Sequence, residues 1–426
     1  KPVHHITIER LRITGTASTF MDSYEIPSLG DWALCRDGSV LLEGTRNCSI
    51  RGCWFDAVGG NGVFINRYNR DVDVAGCTFS ETGDSAVCLV GEYETTTGTQ
   101  KPFPYECRVE NNHIHDCGEF GKQIAGVYIS RAKRITAGHN LIHDMSRAGI
   151  CIGDGTWGGH VIEHNHIHDT CRQTHDHGPF NSWGRERYWS LVHSHFGPNK
   201  GNCIVAGDVK FDAMEPTLIR NNYFVEHKGW GIDLDDGSSN YELYNNICIG
   251  VSVKLREGAY RSVYNNIWIN PANPPSFHVG NIDNHDRYYH NITVMNPAYS
   301  RVEHDFNFKN ATTGNEIYAI TMPPATGPWL EEVDNNCYWN PSRRFTARIR
   351  PREGEPREID LSEWQALGFD LHSVCADPQF EDPDNSDYRL QLARALHTQT
   401  RYAFGEKGAD AESESLQSAI KHLEHL

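Results

Sequence analysis

No apolar run approaches the ~18 residues that a membrane-crossing helix needs, so the chain offers no transmembrane helix. Positive charge is scarce: 39 Lys and Arg stand against 56 Asp and Glu, for a net charge of −17. That balance excludes a nucleic-acid backbone as the main partner. It also counts against a strongly anionic polysaccharide, unless a local basic patch or a metal intervenes. No CxxC pair occurs among the 13 cysteines, and their odd number in 426 residues excludes a dense disulfide framework. The cysteines read instead as small buried hydrophobes. No P-loop, no GxSxG and no GxGxxG in a strand–helix context is found. The 3.6-residue periodicity of a helical solenoid is missing too. The chain begins at Lys1 rather than Met, from which we expect a leader or an N-terminal segment to have been removed.

What the sequence has is repetition. "CRVENNHIHDCGEFGKQIAGVYI" (107–129), "ITAGHNLIHDMSRAGICI" (135–152), "HVIEHNHIHDTCRQTHDHGPFNSW" (160–183), "TLIRNNYFVEHKGWGIDL" (217–234) and "YELYNNICIGVSVKL" (241–255) share one pattern. Apolar and polar residues alternate, Asn or Gly follows, alternation resumes, and a small residue opens one more short run. Period-2 alternation in short runs means strands. The column Asn112, Asn140, Asn165, Asn222, Asn246 and Asn266 has gaps of 28, 25, 57, 24 and 20 residues. Such spacing predicts the coils of an all-β, right-handed parallel β-helix, roughly ten of them over about 3–340, with an insertion in the long gap. Asn in that column is expected to take the left-handed backbone of a bend and to stack along the axis. Gly52 and Gly76 are assigned the same place, and Cys53 and Cys77 match one another in neighbouring coils. From 341 to 392 we expect a flanking strand pair, a short helix capped by Ser362 and a last strand; 393–426 reads as a polar, irregular tail.

Aligning the coils on the small residue that opens the last strand (Gly62, Ala86, Gly126, Gly149, Gly231, Val253) gives outward-facing columns. The first reads Phe64, Cys88, Tyr128, Cys151, Asp233, Lys254. The next positions collect Asp235 and Arg256, then Arg131, Asp154, Asp236 and Glu257. The coil containing Gly178 is expected to bulge out of register. Charge thus gathers on one face of the middle and C-terminal coils, with Leu234 pointing inward. Neighbouring coils lie ~4.8 Å apart, within the range of carboxylate pairs that cleave glycosidic bonds. Close carboxylates split their pKa values, which sets a protonated acid beside an ionised base. Asp176, Asp233, Asp235 and Asp236 are the candidate catalytic groups. Arg131, Asp154, His177, Asn181, Trp183, Arg185, Glu186, Trp230, Lys254, Arg256 and Glu257 are candidate substrate contacts, with Trp183 as an aromatic platform for a sugar ring. Competing readings of the aspartates are a solvated turn, ion pairing with Lys254 and Arg256, and a Ca²⁺ site; no other cofactor is called for. His115, His143 and His168 share a column, each followed by Asp. A straight ladder does not converge on one zinc ion, so these read as a wall of side chains bonded to the aspartates.

The stretches 30–87, "DHGPFNSWGRERYW" (176–189) and "GIDLDDGSSNYELYNN" (231–246) resemble bacterial right-handed β-helix glycoside hydrolases. Family 141, which includes an α-L-fucosidase and a xylanase acting on plant cell-wall glycans, is the nearest likeness. The resemblance covers about 2–392 and implies active-site aspartates, matching Asp176 and the Asp233, Asp235, Asp236 group. It also implies a carbohydrate substrate and a secreted or periplasmic location; the oligomeric state is left open with a monomer favoured, and neither nucleic acid nor membrane is expected as a partner. The tail after Leu392 departs from the family's usual ending. Two other functions remain open on the same scaffold. One is a polysaccharide lyase or uronate epimerase, with Lys254 or Arg256 removing a proton beside a Ca²⁺-neutralised carboxylate. The other is a non-catalytic carbohydrate-binding β-helix.

Overall fold

The computed structural model describes residues 2–27, 32–93, 102–185, 187–194, 197–200, 203–226, 228–281, 283–295, 316–325, 328–342, 344–383 and 387–390. Glu186 and the 393–426 tail lie outside them.

Short alternating runs become short parallel strands, as the period-2 pattern requires. The first face stacks Val87–Val90, Ala125–Ser130, Ala148–Ile152, Phe180–Ser182, Ile232–Leu234, Val253–Arg256 and Ser276–His278, each parallel to the next. The second stacks Arg108–Glu110, Thr136–Gly138, Val161–Glu163, Thr217–Arg220, Tyr241–Tyr244 and Arg261–Tyr264. On the third, twelve strands among the described residues run in order from Arg12–Thr14 to Val374–Cys375. The chain is a right-handed parallel β-helix, the hand that parallel crossovers favour. Inward residues of all three faces, such as Ile142, Ile150, Ile162, Leu234 and Leu255, are buried in one core that runs along the axis.

The asparagines stack as a ladder inside the bend. Asn112 Nδ2 donates to Asn140 Oδ1, and the chain continues through Asn165, Asn222, Asn246 and Asn266 to Asn291 at 2.9–3.0 Å. Each acceptor oxygen also takes a backbone N–H from the coil before, as Asn140 Oδ1 does from Asn112 at 3.0 Å. The left-handed residue is the one before the ladder position: Asn111, His139, His164, Asn221, Asn245 and Asn265 have φ of 53–57°. Gly52 and Gly76 (φ 57° and 63°) match these residues, one place earlier than expected. Cys53 and Cys77 hold the ladder places instead. The Cys77 thiol takes the N–H of Cys53 at 3.4 Å, and the N–H of Cys77 goes to Asn112 Oδ1 at 2.9 Å. None of the 13 cysteines forms a disulfide.

Asn165 bonds directly to Asn222, so the 57-residue gap is one turn of the solenoid enlarged by an insertion. The strand after Gly178 does not bulge: Phe180, Asn181 and Ser182 stay in register with Ile150–Ile152 before and Ile232–Leu234 after. Val253 pairs with Ile232, so Ser252, not Val253, stands opposite Gly231. The His115, His143 and His168 rings stack at 5.2 and 4.8 Å, each bonded to the aspartate that follows. Toward the C-terminus Thr346–Arg350 pairs parallel with the preceding coil and antiparallel with Arg357–Ile359. The helix Leu361–Ala366 is capped by Asp360, which accepts the Glu363 N–H while Glu363 reaches back; Ser362 donates to Asp360 rather than capping. The last strand is one arm of a hairpin, Phe380–Asp382 with Asp387–Leu390.

Candidate active site

The outward column of the first face reads Phe64, Cys88, Tyr128, Cys151, Asn181, Asp233 and Lys254, coil by coil. Its apolar half cannot face water cheaply. A strap between the strands Arg12–Thr14 and Val40–Arg51 covers it with Trp32 and Leu34, forming a second apolar cluster with Phe64, Cys88, Tyr128 and Trp183. Where the column turns polar, the candidate site begins. The apposition of two coils there depends on Gly178 and Gly231 (φ 84°). A Cβ on Gly178 would lie 2.3 Å from the Gly231 carbonyl, so only glycine lets the 176–178 turn close on the Asp233 strand.

Asp233, Asp235 and Asp236 do gather on one outer wall, but they are buried among cations. Lys254 Nζ lies 2.9 Å from Asp233 Oδ1 and 3.1 Å from Asp235 Oδ1. Arg256 reaches Asp235 and Asp236 at 3.0 Å each. Arg185, from the start of the insertion, reaches Asp236 at 3.0 Å and Asp235 at 3.5 Å. The cluster is therefore neither a solvated turn nor a purely acidic patch. Among the described residues no set of three or more ligand side chains converges as a metal site.

Electrostatics divides the three carboxyls. Burial pushes Asp233 up to about 8, with Lys254 opposing and Asp235 adding to the rise. Its Oδ2 is buried and accepts no hydrogen bond among the described residues. Burial acts on Asp235 too, but Lys254, Arg256 and Arg185 outweigh it and hold that carboxyl well below the usual range. Asp236 is raised by burial and by Asp235, against Arg256 and Arg185. Burial alone would lower Lys254; Asp233 and Asp235, which titrate together with it, outweigh burial and raise its pKa.

Asp176 lies one coil before, on the same side. Its side chain is 55% exposed, pairs with Arg147 at 3.5 Å and His177 at 3.6 Å, and accepts the Trp230 indole N–H at 3.1 Å. Trp230 in turn lies under the Lys254 ammonium, 4.5 Å from ring centroid to Nζ. Burial would raise Asp176, but His177 and Lys254 outweigh it and lower its pKa. The structure thus joins Asp176, Trp230, Lys254, Asp233 and Asp235 through direct contacts.

Other expected contacts sit deeper. Trp183 is fully buried, donating its N–H to Asp154 at 3.2 Å, and so cannot serve as a sugar platform. Trp230, 40% exposed, is the aromatic surface at this site. Asp154 is buried and pairs with Arg131 at 4.0 Å; Arg131 lies over the Tyr93 ring. Asn181 and Glu257 are buried as well. Two positioning residues escaped the sequence reading. Arg147 donates to the buried His177 at 2.9 Å, and Trp32 stacks on that imidazole at 5.8 Å and on Tyr128 at 5.1 Å. Arg147 falls in the irregular run before its strand, and Trp32 comes from a strap outside the repeat, so neither belonged to an aligned column.

No protein-family model matches the chain, and no curated protein matches it. Similar solved structures include one described as a glycoside hydrolase (14% identity, TM-score 0.48, covering 63% of this chain and 48% of that one). Others are a PL6 family alginate lyase, AlyGC (14%, 0.46, 78% and 41%), and PfbA, a surface adhesin of Streptococcus pneumoniae (10%, 0.42, 82% and 68%). The chain spans about half the length of the first. Likeness at this level carries no information about chemistry.

Proposed function

We propose that the protein is a glycoside hydrolase in which Asp176 and Asp233 act as a pair. The observation that carries the reading is their contrast: on neighbouring coils and tied through Trp230 and Lys254, one carboxyl faces solvent and the other keeps its proton to about 8. Hydrolysis of a glycosidic bond needs that contrast. Asp233 is fully buried beneath Lys254, so it gives its proton to the departing glycosidic oxygen once substrate binding draws Lys254 aside. Asp176 either takes a proton from the attacking water or attacks the anomeric carbon itself. Lys254 lies over one part of the Trp230 ring and Asp176 accepts its indole N–H, so a sugar ring packed against that indole is held near both groups. Asp235 and Asp236 are the fixed counter-charges of Lys254, Arg256 and Arg185, and keep the protonated carboxyl in place.

Lys254 and Arg256 fit a lyase base poorly. Both have raised pKa values, and a general base must shed its proton near the working pH. The test is a screen of aryl glycosides and plant-wall oligosaccharides, with products followed by proton NMR. A new reducing end without an unsaturated sugar supports the proposal. An unsaturated, ultraviolet-absorbing product, or activity abolished by a chelator, assigns the site to a lyase. Binding without turnover assigns it to recognition.

A further inference from the structure

Arg147 stands just before the strand Ala148–Ile152, one coil ahead of Asp176, and engages that next coil with both backbone and side chain. Its carbonyl accepts the Cys171 N–H at 2.7 Å, and the Cys171 thiol donates to the Asp176 carbonyl at 3.4 Å. Its guanidinium Nε donates to His177 Nδ1 at 2.9 Å, and Nη2 lies 3.5 Å from Asp176 Oδ2. A guanidinium only donates, so Nδ1 accepts and the proton of the neutral imidazole sits on Nε2. That nitrogen lies 3.6 Å from the same Oδ2. Trp230 holds the other oxygen, Oδ1, through its indole N–H at 3.1 Å. Donors thus approach both oxygens of Asp176, which sets the plane of its carboxylate.

The clamp is made of buried parts around an exposed carboxylate. Arg147 and His177 are buried, and Trp32 covers both, stacking on the imidazole and lying 5.7 Å from the guanidinium carbon. His177 has a φ of 74°, a left-handed backbone that glycine and asparagine adopt more readily. Its carbonyl accepts the Trp230 N–H at 2.6 Å, and a Cβ on Gly229 would lie 2.0 Å from that carbonyl. A glycine would meet this backbone demand; what histidine adds is its ring. The charged groups facing Asp176 are Arg147 and His177 on one side and Lys254, Asp233 and Asp235 on the other. Lys254 is already bound to Asp233 and Asp235. Asp176 is the one carboxylate paired with Arg147 among the described residues.

Resting on the hydrolase reading above, we infer that Arg147 and His177 are positioning residues of Asp176: buried under Trp32, they hold its outward carboxylate ionised and in one orientation beside Trp230. Both act through Asp176 rather than on the substrate. The N-terminal strap thereby reaches the chemistry through two side chains. Without the Arg147 charge, Asp176 takes up a proton at higher pH, and the acid side of the rate profile moves up with it.

The test compares Arg147→Met, Arg147→Lys and His177→Asn with the wild type. Asn tolerates the left-handed turn, and thermal midpoints show which variants fold. The ionisation of Asp176 is read by carbon-13 NMR titration of its carboxyl, assigned by the signal's loss in Asp176→Asn, and needs no substrate. In Arg147→Met we expect that titration, and the acid limb of kcat/KM on a cleaved glycoside, to move together to higher pH. Its kcat should fall about 10–100-fold with KM close to wild type, as for a group misplaced in the reaction but not in binding. Arg147→Lys restores the charge without the planar fork, so the titration should return toward wild type while kcat stays low. If Arg147→Met does not fold, His177→Asn decides by the same readouts. A moved titration in a protein that cleaves no glycoside upholds the clamp and removes the hydrolase reading alone. An unmoved titration in the deciding variant overturns the inference.

Discussion

Asp176 is the residue on which the chemistry depends most openly. Exposed and ionised, it can be changed with little effect on folding. Asp176→Asn is expected to lower kcat/KM by about 10²–10⁴, with a thermal midpoint close to wild type; assays of the purified variant check both. Asp235→Asn should behave in the opposite way. It leaves Lys254 and Arg256 each short of a buried carboxylate, and loss of one partner in a buried ion cluster costs about 3–5 kcal/mol. Urea denaturation reads that loss directly. Asp233 and Asp235 also oppose each other in pH. Asp233 holds its proton longer when folded, so its contribution is full at low pH and is lost as pH rises toward about 8. Asp235, depressed when folded, contributes above the ordinary carboxylate range and loses that contribution as pH falls. Asp233→Asn should therefore gain stability relative to wild type as pH climbs toward about 8, which unfolding curves across that window test. At this scale the sequence was legible in part. Three aspartates at the end of a strand marked the wall correctly, because side chains two apart on a strand share a face. It offered pairing with Lys254 and Arg256 as one reading, but could not disclose that Arg185 would join them and that the cluster would be buried. Arg185 arrives from an insertion, and the burial of Trp183 depends on the Trp32 strap.

Among the elements, the asparagine ladder shows how far a repeat can be read. Its spacing disclosed the coils and the insertion, since every turn must return its asparagine to the same height. The backbone geometry was off by one, because an Asn that donates into a ladder and an Asn that adopts a left-handed bend look alike in sequence; at 111–112, 221–222, 245–246 and 265–266 the two are adjacent. Asn222→Ala removes a buried amide that serves the coils on both sides. It strands donors and acceptors worth about 1–3 kcal/mol each. A loss of at least about 2 kcal/mol in denaturant unfolding is expected; a loss under about 0.5 kcal/mol, typical of a surface change, contradicts a structural role for the ladder. The cap at Asp360 was misassigned to Ser362 because both precede the apolar helix positions. Only the reciprocal bond with Glu363 distinguishes them.

The whole molecule is a stack whose exterior changes character along its length. Aligned positions that are apolar in the N-terminal coils need the strap, and the same positions carry charge in the middle coils, next to the end of that cover. A solenoid brings residues 57 positions apart, such as Asp176 and Asp233, onto adjacent coils without any local motif joining them. The central claim is that such stacking pairs a solvent-facing carboxylate with a carboxyl that retains its proton near neutral pH. Its most direct test is the pH dependence of kcat/KM on a cleaved glycoside. The account predicts an alkaline fall with a midpoint of about 8, set by Asp233. A rate that stays flat or keeps rising well above that pH contradicts it.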